Sequence, residues 1–158
     1  MKNNPKKYTS KDGYHCTDLF HFGNDHLKAA DYLFKYGPVF YDSAGYLYHL
    51  GFELILKSIC LYKNGYFENV HDLKKIIKLV NNQNSNNKYN KKTLDMINTY
   101  NDLRYPKIRS PIEIGLDDLP NIIEFREYIE SEIPDEMKSQ IKNISVLNKG
   151  NRVLMVKK

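Results

Sequence analysis

Three ionisable side chains stand four residues apart in an otherwise greasy run: His49, Glu53 and Lys57 in YDSAGYLYHLGFELILKSICLYKN, residues 41–64. Positions i, i+4 and i+8 share one helix face, so on a helix these three make a polar stripe. Further along the chain, HDL supplies His71 and Asp72, and LRYP supplies Arg104 and Tyr105. If the helix ends bring these groups to the stripe, Lys57 and Arg104 can hold a phosphate while Glu53 orients them. A histidine beside them can act as acid or base near neutral pH, which makes His49, His71 and Arg104 the candidates for catalysis. The same cluster also reads as a buried ion-pair network locking helices together, because buried charges must be paired. In that reading His71 or Asp72 caps the helix that follows.

Two other sets carry less. His15, Cys16, His21 and His26, with Asp18 and Asp25 nearby, offer nitrogen and sulfur donors, but their spacing matches no standard zinc pattern. Scattered surface histidines and no metal are the expectation. Lys74, Lys75, Lys78, Lys88, Lys91 and Lys92 surround an Asn-rich stretch and can track a phosphate backbone. They lack arginine and have only Tyr89 for stacking, so a solvated face is expected. The chain has no Gly-rich phosphate loop, Walker lysine or nucleophile elbow, and no cofactor is expected.

The elements that must position these residues follow from the apolar pattern. Residues 41–64 are apolar on nearly every side, which predicts a central helix surrounded by others. His49, Glu53 and Lys57 make it too polar to cross a membrane. Before it, Asn24 or Asp25 can cap a helix running to Tyr36, and Gly37-Pro38 ends that helix. After it come Asn64-Gly65 as a stop, a short connector over 66–70, and a helix over 71–80. The stretch NNQNSNNKYNKK reads as a loop, and 93–105 reads as a fourth helix closed by Pro106. Asp117 or Asp118 caps a fifth, with Pro120 in its first turn and Pro134 at its end. Residues 1–13 read as frayed and 14–142 as the domain. The tail, 143–158, reads as a β-hairpin around Asn148–Asn151 that packs on the bundle or pairs with a second copy.

Composition sets the bounds. At 158 residues, 41% hydrophobic and 27% charged, the chain suits one domain with a sizeable core. Twenty-four basic against 19 acidic residues give a net charge of +5, which permits anionic partners without requiring them. The high aromatic share comes from 13 Tyr and 7 Phe, residues suited to core edges and interfaces. Two cysteines form no disulfide framework, and the basic start leads into no apolar signal core, so a reducing cytoplasm is the expected compartment.

The order of the motifs resembles the HEPN family of small prokaryotic α-helical bundles. Glu53 and Lys57 in GFELILKSICL match that family's second-helix pattern, His71-Asp72-Leu73 its HDL start of helix three, and Arg104-Tyr105-Pro106 its RYP helix end. The resemblance covers residues 25–130 and implies an all-α, antiparallel up-and-down bundle of about five helices that forms a homodimer. Some members are metal-independent ribonucleases using an arginine followed four to six residues later by a histidine. Others pair with nucleotidyltransferases in toxin–antitoxin modules, and others are binding or scaffold domains. Here every histidine precedes Arg104, the first arginine, so the ribonuclease motif is absent. The resemblance therefore implies a non-catalytic nucleotide- or RNA-binding or regulatory module, possible in toxin–antitoxin or phage-defence systems. A divergent ribonuclease using His49 or His71 with Arg104, and a purely structural oligomerisation module, are the alternatives.

Overall fold

The apolar run over 41–64 forms the rod around which the other helices pack. In the computed structural model, which describes residues 4–81, 89–105, 107 and 110–147 (side chains to 142), it is a helix, α2 (Tyr41–Asn64). Tyr48, Phe52, Leu56 and Ile59 are buried on it, and Gly65 ends it with a positive φ of 75°.

Preceding it is α1 (Cys16–Tyr36), joined through Gly37 and a 3-10 turn, Pro38–Phe40. The two helices run antiparallel, with Gly23 against Gly51 and Ile55, and Phe34 stacked on Tyr41. Gly23 and Gly51 make this possible: a Cβ on Gly51 would lie 2.8 Å from the Gly23 carbonyl oxygen and 2.6 Å from Leu27 Cδ2. The helix starts well before the expected caps, and Asn24 and Asp25 lie inside it. Its buried face, Leu19, Gly23, Leu27, Ala30 and Phe34, continues through them, and packing overrides a local capping preference.

The N-terminal segment also differs from expectation. Lys7–Thr9 forms β1, antiparallel to β2 (Tyr66–Glu68), with Tyr8 opposite Phe67. A two-stranded ribbon is marginal alone. Here Tyr8, Tyr14 and Phe67 form a ring cluster, with centroids 5.1–5.6 Å apart, that anchors it to the bundle.

The second half supplies α3 (Leu73–Val80), α4 (Lys91–Thr99), α5 (Leu119–Glu132) and α6 (Asp135–Leu147). The helix expected over 93–105 tightens into a 3-10 turn, Tyr100–Arg104. Before α5, Asp118 does not cap through its side chain but accepts from the Gly115 N–H at 2.8 Å. The tail corrects the hairpin reading, because Ile144–Leu147 is helical. Pro134 opens that helix, Asp135 and Glu136 suit its positive N-terminal end, and Met137 docks it in the core. The rest of the expected hairpin, 148–158, lies outside the described residues. The result is an all-α bundle with one small ribbon. No described helix is long and apolar enough to cross a membrane.

Candidate functional site

The i, i+4, i+8 stripe lies inside the bundle. His49 is 0% exposed, Glu53 3% and Lys57 5%, a degree of burial that charged side chains reach only when paired. Lys57 Nζ donates to Glu53 Oε1 at 2.7 Å. The connector before α3 swings His71 in from the other side, and its Nδ1–H donates to both carboxylate oxygens at 3.0 and 3.1 Å. His49 donates through Nδ1 to the Ile97 carbonyl on α4 at 3.1 Å. Its Nε2 stands 3.5 Å from Glu53 Oε2, without hydrogen-bond geometry. Phe67 of β2 closes the cluster over Lys57, whose Nζ is 5.6 Å from the ring centroid.

Burial alone would raise the Glu53 pKa. The His49 ring, the Lys57 ammonium and the His71 bond together outweigh burial and hold it down at about 2. Its carboxylate is therefore ionised and fully engaged at neutral pH, an arrangement suited to holding helices rather than moving protons. Only His71, with its side chain 51% exposed, reaches solvent.

The remaining members of the expected cluster go elsewhere. Asp72 caps α3, its Oδ1 accepting from Lys74 N at 3.0 Å and from Asn98 Nδ2 at 3.3 Å. Asn98 Oδ1 accepts in turn from Leu73 N at 2.9 Å, which ties α3 to α4. Arg104 and Tyr105 lie on the surface. The guanidinium is 5.8 Å from the ring centroids of both Tyr46 and Tyr105. Two open hollows, neither lined by Arg104 itself, share Asp42 and Leu103, the residue before Arg104. One, of about 300 Å³, is walled by Ser43, Tyr46 and Leu47. The other, of about 800 Å³, is walled by Thr99, Asp102, Lys107 and Glu113.

The two lesser sets are dispersed. Among the described residues no group of His, Cys, Asp or Glu is placed to hold a metal ion. His15 precedes α1 without a side-chain cap, Cys16 opens that helix, and the His21 Nε2 is buried without a partner. Asp25 lies 3.9 Å from Lys28, while Asp18 and His26 lie along the same helix. Lys74 pairs with Asp95, and Lys75, Lys78, Lys91 and Lys92 are exposed. Lys88 falls outside the described residues. Tyr89, the ring that stretch offers for stacking, packs on Tyr128 at 5.2 Å.

One polar network has little signal in the sequence. Arg126 of α5 donates to Asp31 of α1 through both terminal nitrogens, at 2.8 and 3.0 Å, and the buried Tyr48 hydroxyl donates to the same carboxylate at 2.8 Å. Burial, then the Asp31 bond, raises the Tyr48 pKa. The only hint is an arginine placed beside the apolar positions Ile122, Phe125 and Ile129.

No curated protein and no solved structure matches the chain. The HEPN domain profile matches residues 17–148, from the first turn of α1 past the end of α6, so it takes in the Glu53 cluster, Arg104 and the Asp31–Arg126 pair. With that match over most of its length and an all-α bundle beneath it, the chain belongs to the HEPN domain family.

Proposed function

We propose that this HEPN protein is a non-catalytic module that binds a nucleotide or RNA at Arg104. The observation that carries the reading is an exposed guanidinium flanked by two tyrosine rings, without a carboxylate partner among the described residues, one of those rings, Tyr46, walling an open hollow. A guanidinium fork can take two phosphate oxygens, and Lys107 adds a second cation. Tyr46 and Tyr105 offer π-faces to a base. Asp42, Ser43 and Thr99 can exchange hydrogen bonds with ribose hydroxyls. The volumes fall within the roughly 300–1,000 Å³ usual for small-ligand sites.

Two features favour binding over cleavage. No histidine follows any arginine in the chain. His49 and His71 are both turned to the Glu53 cluster, and neither contacts Arg104. The family resemblance extends the proposal to a homodimer with a nucleotidyltransferase-type companion, in a toxin–antitoxin or phage-defence setting.

Fluorescence anisotropy with a short labelled single-stranded RNA, and with ATP as competitor, tests this. Binding that weakens with salt, and that Arg104→Ala reduces about tenfold or more at unchanged melting temperature, is the expected result. RNA cleaved by the parent protein and spared by Arg104→Ala would install the ribonuclease reading instead. RNA and ATP that leave both anisotropy and melting temperature untouched would leave only a structural module.

A further inference from the structure

A third hollow, of about 220 Å³, lies between the start of α4 and α5 and shares no lining residue with the two that meet at Leu103. Tyr89, Phe125 and Tyr128 give it three aromatic rings. The Tyr89 and Tyr128 rings are splayed, with centroids 5.2 Å apart and planes 58° from parallel, and Phe125 follows Tyr128 at 5.9 Å. The face of such a ring is its electron-rich side and attracts a cation.

The polar part of the wall asks for the same thing. Glu124 and Glu127 are three residues apart on α5, so their carboxylates lie on one face. Both are exposed, and neither has an ion pair among the described residues. Like charges side by side on a helix cost stability unless something positive joins them. Thr93, on the same wall, is 3% exposed, and its hydroxyl has no hydrogen-bond partner among the described residues. A buried hydroxyl left unpaired also costs free energy. The end of α4, by contrast, has little use for an anion. Asn90 Oδ1 already accepts from Lys92 N at 3.0 Å and Thr93 N at 3.4 Å. Lys91 and Lys92 open that helix, yet neither lines the hollow.

We infer that this hollow receives a guanidinium group, the head of an arginine side chain or of a small guanidino compound. A guanidinium brings five N–H donors and no acceptor, which suits two carboxylates and a hydroxyl in want of donors. Its flat faces are weakly hydrated and stack on aromatic rings while its edges reach carboxylates. An ammonium is more strongly hydrated and has no flat face to lay on a ring. A quaternary ammonium has no N–H to give Thr93 or the glutamates. The volume lies below the roughly 300–1,000 Å³ of drug-sized ligand sites, so the hollow takes one head group and not a nucleotide. The inference is independent of the Arg104 reading, which concerns an anion and other residues.

Amide chemical shifts of the isotope-labelled full chain, titrated in parallel with acetyl-arginine-amide, acetyl-lysine-amide and agmatine, test it. Saturable shifts confined to residues 89–93 and 124–128 are expected, with the arginine derivative bound about threefold or more tighter than the lysine one. Acetyl-arginine-amide held tighter than agmatine identifies the arginine of a peptide chain as the source, and the reverse order a free guanidino compound. Glu127→Gln and Tyr89→Ala should each weaken binding about threefold or more at unchanged melting temperature. If Tyr89→Ala lowers the melt, Glu127→Gln alone decides. No shift in these segments, equal binding of the lysine derivative, or indifference to the substitutions overturns the inference. Arg104→Ala should leave the arginine titration unchanged, so the two sites fail or stand separately.

Discussion

Glu53→Gln is the sharpest perturbation of the buried cluster, because it keeps the shape and one acceptor while removing the charge that Lys57 needs. The ammonium would remain 5% exposed with its 2.7 Å ionic partner gone. Breaking one side of a buried pair costs about 3–5 kcal/mol. The depressed acidity gives an independent figure: lowering Glu53 from 4.5 to about 2 corresponds to about 3 kcal/mol of folding free energy. The two agree, and for a chain of this size they translate to a melting temperature lower by roughly 10 °C. Urea titration at neutral pH measures the loss directly. Because the folded-state pKa lies below the unfolded one, this stabilisation is complete above pH 4.5 and disappears as pH falls toward about 2. The gap between parent and Glu53→Gln should therefore close across that window. Replacing Lys57 by Met in the variant removes the stranded charge and should recover a good part of the loss. A variant within about 1 kcal/mol of the parent at neutral pH, or a gap that does not close in acid, would refute the reasoning.

Two further changes test the frame. Gly51→Ala forces a Cβ against the Gly23 carbonyl oxygen at 2.8 Å, a backbone atom that cannot swing aside, and should cost about 1–3 kcal/mol by parting α1 from α2; a neutral result in urea titration would mean that the helices are not so closely packed. Asp72→Ala removes the α3 cap and the bond from Asn98, and about 1 kcal/mol of stability should go with them. Hydrogen exchange should then quicken in the first turn of α3 while α2 keeps its protection.

Much of the architecture was legible because its signals are periodic. The all-round apolar run became α2 with both boundaries as expected, and Leu73, Ile76, Ile77 and Val80 became the buried face of α3. The misreadings share a cause, namely that long-range packing overrode a local signal. Asn24 and Asp25 look like caps, but the buried stripe from Leu19 to Phe34 carries the helix through them. Residues 7–9 look frayed until Phe67, far along the chain, supplies the ring that Tyr8 packs on. The candidate site was half legible. Spacing placed His49, Glu53 and Lys57 together, and the HDL motif supplied His71, but nothing local says that Arg104 turns away toward Tyr46. The Asp31–Arg126 pair spans 95 residues and has no motif at all.

The Glu53 cluster and the Arg104 site are nevertheless mechanically related. Tyr46 and Glu53 are seven residues apart on α2, about two turns and nearly the same face, so one helix presents a ring to Arg104 and a carboxylate to the core. The His49 bond to the Ile97 carbonyl fixes the last turns of α4 against that helix. Arg104 follows seven residues later, at the end of the 3-10 turn that continues α4. A rigid core cluster therefore sets where the exposed arginine stands relative to Tyr46. That accounts for a costly buried charge in a protein whose candidate binding group lies outside: the cluster holds the scaffold, and the scaffold aims the arginine.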